Sequence, residues 1–211
     1  MSARRQRQMC IRDSRCGEGL IATLSAMPIT LHAVNFETST KAKAMRYALH
    51  RLDERAEVVI VLDADNLAHP DMVATMVADI QAGAAAVQGA RLEKNGDTPM
   101  ARLDGLMERI NHAVFRQGRA AVGLSAALAG SCMAFERRRF VALMDACDAV
   151  GGFDKQLEMS LILQGVTIAW QPAAIAFDEK VEQVDAFQRQ RRRWISVQSV
   201  SYTHLRAHET T

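Results

Sequence analysis

The sequence predicts a three-layer α/β/α domain with a mixed, mainly parallel sheet. Three observations carry this. Short apolar runs of strand length alternate with amphipathic segments of helical period. Val58-Val59-Ile60-Val61-Leu62 is continuous and mostly β-branched, the pattern of a strand buried on both faces as in a parallel sheet. Acids stand where that strand ends, and ligands of such domains bind at the carboxyl ends of the strands.

Thr38-Ser39-Thr40 offers a hydroxyl cap for a helix reaching about Glu54, with Ala44, Met45, Ala48, Leu49 and Leu52 on one face. After the strand at 58–62, Pro70 starts a helix in its favoured first turn, its apolar face made by Met72, Val73, Met76, Val77 and Ile80. Ala84 to Gly89 reads as the next strand and Arg102 to Arg119 as a long amphipathic helix. Cys132 to Phe135 reads as a short strand, with a helix following through Ala146. Asp154 to Gln164 is helical and stops at Gly165; Val166 to Trp170 and Ile175 to Phe177 are two short strands; a charged helix begins at Gln183.

The two ends read differently. Met9-Cys10-Ile11-Arg12-Asp13 can be encoded by ATG TGT ATA AGA GAC, whose reverse complement encodes Val-Ser-Tyr-Thr-His, the pentapeptide at Val200 to His204. Such an inverted repeat resembles the transposase end sequence of sequencing libraries. Residues 1–14 are therefore read as an adapter-like scar without fixed structure, 199–211 as a second adapter-like scar, and 15–198 as one partial catalytic domain. Without the ends the basic count falls from 26 to 21 and the acidic count from 24 to 22, so the net charge moves from +2 to −1. That balance selects neither a nucleic-acid nor a membrane partner. Cys16, Cys132 and Cys147 are too scattered for a zinc site or a disulfide framework, which fits a reducing compartment. Ile21 to Leu31 is too short to span a bilayer, so the chain itself is expected to be soluble.

Asp63-Ala64-Asp65 places two carboxylates at a strand end, where a hard divalent ion can meet them and substrate phosphates together. Gln190-Arg191-Arg192-Arg193-Trp194 lies on the last helix. Its arginines suit phosphate oxygens, and its indole suits stacking on a sugar or base. On the residues alone, a nucleotidyltransferase-type domain and a basic nucleic-acid-binding module stand as alternatives.

The segments VVIVLDADN, GSCMAF, FDKQLE, FDEK and QRQRRRW, in that order over about Lys41 to Gln198, resemble family 2 inverting glycosyltransferases of the cellulose, chitin and hyaluronan synthase style. The resemblance implies a GT-A fold and transfer of sugar from a nucleotide-diphosphate donor, a UDP-sugar, to a carbohydrate or lipid-linked acceptor. It assigns the donor site to Lys41, Asp63, Asp65, Gln190, Arg193 and Trp194, and Mg2+ or Mn2+ to Asp65 with Asp63. It puts Gly130, Ser131 and Cys132 beside the acceptor. Nucleic acid is not among the implied partners. Lys155 and Gln156 stand where many members have an adjacent Glu-Asp pair, so the general base falls to Asp154 or Glu158, with Asp154 preferred after Gly151-Gly152. Cys132 is read as a small packed residue. The resemblance further implies that the uracil-binding front half is missing, that turnover by this chain is negligible, and that the parent protein is held in the inner or plasma membrane with this domain cytoplasmic.

Overall fold

The structure is a computed structural model that describes residues 8–12, 18–34, 36–38, 40–149, 151–192 and 194–196. It divides into two compact units, 1–54 and 55–211.

In the first unit, strand β1 (Gln8–Arg12) pairs in parallel with β2 (Ile29–Ala33), and helix α1 (Glu18–Ser25) lies between them in sequence. Of residues 1–14, read as an adapter-like scar, Gln8–Arg12 form a ladder because Ile29–Ala33 supplies an extended partner, and the others lie outside the described residues. Helix α2 (Lys41–Leu49) begins where the cap was expected, Thr40 Oγ1 accepting the Lys43 N–H at 3.2 Å. It stops before Glu54. Arg51 and Leu52 N–H groups donate back three residues, to Ala48 and Leu49, which tightens and ends the last turn.

The second unit is built on a five-stranded sheet in the order β3-β6-β5-β7-β4. Its elements run β3 (Val58–Val61), β4 (Leu67–Ala68), α3 (Met72–Gln81), β5 (Ala86–Glu93) and α4 (Pro99–Asn111). A π-helical turn (His112–Gly118) leads into α5 (Arg119–Ala121), then β6 (Met133–Glu136), α6 (Arg137–Asp145), α7 (Phe153–Leu163) and β7 (Ile168–Asp178). Residues 184–192 form the closing helix.

Helices cover both faces, as the three-layer reading requires. On one face Met72, Met76 and Ile80 of α3 pack on Val87, Ala134 and Ala176. Strand alternation turns the next residue, Phe135, to the other face, where it stacks on Phe140 of α6 with ring centroids 4.4 Å apart.

The mixed sheet stands, but it is not mainly parallel. Only β5–β7 is parallel; β3–β6, β6–β5 and β7–β4 are antiparallel. β3 pairs with β6 at the sheet's margin, and Val58, Val59 and Ile60 are half-buried, not enclosed on both faces. An unbroken apolar run reports burial, and burial does not encode the direction of the neighbouring strand. The two short strands expected after Gly165 are one. Pro172 has no N–H to give a ladder, so pairing jumps from Gly89↔Gln171 to Ala90↔Ile175 and the intervening residues bulge out. No helix among the described residues is long and apolar enough to cross a membrane.

Candidate functional site

The β3–β6 ladder, ending at Val61↔Met133, sets the carboxyl end of β3 beside the entry to β6. Residues 62–66 and 129–132 therefore meet. The Asp63 N–H donates to Ser131 Oγ at 2.9 Å and to Asn66 Oδ1 at 3.2 Å, and the Asn66 N–H closes the turn on the Asp63 carbonyl at 3.1 Å. The Ser131 hydroxyl donates to Asn66 Oδ1, while Asn66 Nδ2 donates to Asp65 Oδ1 at 3.2 Å. Asp63 is half-buried and Asp65 exposed.

The facing loop is held from beneath by Gln88, whose side chain is wholly buried in β5. Its amide nitrogen donates to the carbonyls of Ser131 and Cys132, both at 3.1 Å, and its oxygen accepts the Ala129 N–H at 2.8 Å. Such a fully satisfied buried amide fixes one loop conformation. Gly130 (φ 75°) and Cys132 (φ 51°) both lie in the left-handed region, which a glycine adopts freely and a cysteine only under constraint. Burial pushes the Cys132 thiol up to about 12, with Arg91 pulling it only partly back, so it is a packed residue and no nucleophile.

Gly130 lies against Asp154 in the first turn of α7: a Cβ at position 130 would stand 3.6 Å from Asp154 Cγ. Burial raises the Asp154 carboxyl above its ordinary value, with Lys155 opposing. Glu158 is differently engaged. It is buried, and its oxygens accept from Arg119 at 2.9 Å, Lys155 at 2.9 Å and the Leu128 N–H at 3.0 Å. Lys155 also donates to the Leu128 carbonyl, and Gln156 ties the Ala149 N–H to Asp148, so both positions are occupied with holding loops.

The closing helix is fastened to α4 through Arg191, whose guanidinium donates to buried Asp104 at 2.6 Å and stacks between the rings of Phe187 and Trp194. Gln190 and Trp194 are half-buried, and the Gln190 side-chain oxygen is buried without a hydrogen-bond partner. Arg193 lies outside the described residues. Lys41 belongs to the first unit, where it is the exposed first residue of α2. Asp63, Asp65, Ser131 and Cys132 are thus joined through backbone, hydroxyl and amide contacts, and Gly130 brings this group up to Asp154.

Three parts of this site escaped the sequence reading. Asn66, directly after Asp65, carried a signal as a turn-forming side chain. Gln88, one amide inside an apolar run, carried another. The third is a buried ion network in which Arg91 meets Glu108 at 2.8 Å and Asp178 at 3.7 Å, Glu108 meets Arg116 at 3.1 Å, and Lys180 meets Asp178 at 2.6 Å. It links β5, α4, the π-helical turn and the end of β7. Asp178 and Lys180 stand within the FDEK segment, but Arg91, Glu108 and Arg116 are far from it in sequence and gave no local pattern.

Among the described residues, no group of three or more His, Cys, Asp or Glu side chains is arranged to hold a metal ion. The donor set nevertheless fits an ion of the magnesium type. Such an ion takes one or two carboxylates and completes its shell with water and substrate phosphate, and Asp65 presents an exposed carboxylate oriented by an amide.

The family described as glycosyltransferase like family 2 matches residues 15–196. The chain belongs to this family. Among solved structures, its family 2 fold is similar to glucosyl-3-phosphoglycerate synthase from Mycobacterium tuberculosis in complex with Mn2+, UDP and phosphoglyceric acid. The TM-score is 0.60 at 16% identity, over 92% of this chain and 67% of that one. The same synthase with Mn2+, UDP-glucose and phosphoglyceric acid gives the same values. With Mg2+ and UDP it gives a TM-score of 0.57 at 16% identity, over 90% and 66%. At that identity the likeness concerns the fold, and it agrees with the GT-A architecture expected of this family 2 member. Curated protein sequences give no match.

Proposed function

We propose that this glycosyltransferase moves a hexose or N-acetylhexosamine from a UDP-sugar to a hydroxyl of a carbohydrate or lipid-linked acceptor, with inversion and with help from Mg2+ or Mn2+. The observation that carries the reading is the joint between Asp63 and Ser131, because it sets the donor-side carboxylates against the loop that borders Asp154. Asp65, with Asp63 behind it, would hold the cation, and a bound cation neutralises charge developing on the departing diphosphate. The fold's solved relatives with Mn2+ or Mg2+ and UDP support the choice of ion and nucleotide.

Asp154 is assigned as general base. Its oxygen takes the acceptor hydroxyl proton as that hydroxyl attacks the anomeric carbon from the side opposite the diphosphate. The new glycosidic bond forms, the bond to the diphosphate breaks, and the proton stays on Asp154. A carboxylate raised by burial is a stronger base than a solvated one, which suits this task. Glu158 is a poorer candidate because three donors already occupy it. Gln190, Arg193, Trp194 and Lys41 are assigned to the donor by the family pattern. Turnover is expected to be negligible, since positions 155 and 156 carry no carboxylate.

Calorimetry with UDP and Mn2+ on the chain and on Asp65→Asn tests the reading. Metal-dependent UDP binding that disappears in the variant supports it; equal binding in both removes the proposed metal site.

A further inference from the structure

Asp65 is exposed, and an exposed carboxylate rotates among several orientations unless something fixes it. Here a chain of groups running inward from half-buried Asn66 to buried Ser131 and Gln88 does so. We infer that Asn66 and Ser131 are positioning residues that aim the Asp65 carboxylate at its cation from the acceptor-side loop. The inference rests on the function proposed above.

The amide orientation of Asn66 follows from its partners. Oδ1 receives the Asp63 N–H at 3.2 Å and the Ser131 hydroxyl, so Nδ2 is left facing Asp65 Oδ1 at 3.2 Å. The reversed amide would set an oxygen against the carboxylate and donors against an N–H. Asp65 Oδ1 is thereby engaged by a donor, which restrains the carboxylate and leaves its other oxygen for an ion. Ser131 is wholly buried and cannot turn to water. Its own backbone is pinned by Gln88, whose amide spans the carbonyls of Ser131 and Cys132 and the N–H of Ala129. The path from Gln88 through Ser131 and Asn66 to Asp65 thus runs from the sheet interior to the exposed carboxylate. Outer partners of this kind set the orientation of a metal ligand, and their loss weakens metal binding about tenfold or more.

The test measures UDP affinity with and without Mn2+ in the full chain, in Asn66→Ala and in Ser131→Ala. The quantity read is the gain in UDP affinity that Mn2+ brings. It is expected to fall about tenfold in both variants, while metal-free UDP affinity stays unchanged in Asn66→Ala. Asn66 sits in a half-buried surface turn, so its variant decides the matter if Ser131→Ala does not fold. A gain equal to that of the unaltered chain overturns the positioning role and leaves the proposed function standing. An equal loss with and without Mn2+ marks a merely structural role and also overturns it. No gain in the unaltered chain sinks the proposed function and this inference together.

Discussion

Gly130 stands beside the carboxyl group of Asp154, close enough that a Cβ at position 130 would touch its Cγ at 3.6 Å. The contact joins two candidates that lie on separate elements, the loop before β6 and the first turn of α7. It also separates the two carboxylates considered as base, since Glu158 one turn later is enclosed by Arg119, Lys155 and the Leu128 N–H.

Asp154→Asn is expected to leave UDP binding unweakened, and whatever trace of transfer from a UDP-sugar the chain retains should fall by about 100-fold or more, the usual worth of a general base. Glu158→Gln should instead lower stability and leave the pH profile of transfer in place. Because burial raises the Asp154 carboxyl, the folded chain holds a proton there that the unfolded chain releases near 3.8. Stability should therefore fall as pH rises from that value through the raised folded value, and transfer should rise over the same window. Asp154→Asn must remove this part of the stability profile. If the profile is unchanged in the variant, the assignment fails.

Glu108 predicts the opposite slope. Burial alone would raise its carboxyl, but Arg91 foremost, with His112 and Arg116, outweighs burial and holds it well below the ordinary 4.5. A depressed carboxyl contributes stability that is present above 4.5 and is lost as pH falls toward its folded value. Urea unfolding between neutral pH and pH 3 should show this loss, and Glu108→Gln should flatten it. At neutral pH that variant should cost about 3 kcal/mol, because it leaves Arg91 and Arg116 buried and underpaired.

Gly89→Ala tests the packing between β5 and β7. The new Cβ would stand 2.4 Å from the Ala174 carbonyl oxygen, 2.6 Å from Met76 Cε and 2.7 Å from Cys132 Sγ. The methionine can yield but the backbone oxygen cannot without moving the bulge. Thermal unfolding should report a loss of about 1–3 kcal/mol, and an unchanged midpoint would show that the bulge is pliable.

Local features were legible in the sequence where short-range physics governs them. The Thr40 cap, the α3 face of Met72, Met76 and Ile80, and the strand ending just before Asp63 each follow from the spacing of neighbouring residues. The length of β7 was not legible, because whether Pro172 ends a strand or bulges out depends on the pairing strand.

By itself, then, the sequence determined the alternation of elements, the family, and the position of Asp63 and Asp65 at a strand end. Tertiary structure alone decided that β6 runs antiparallel between β3 and β5, and that Ser131 thereby reaches Asp63 across 68 positions. It also decided that Asp154 faces Gly130 while Glu158 is consumed by cations. The reason is physical: periodicity encodes which side of an element is buried, whereas strand direction and ion pairing depend on what the rest of the chain brings alongside.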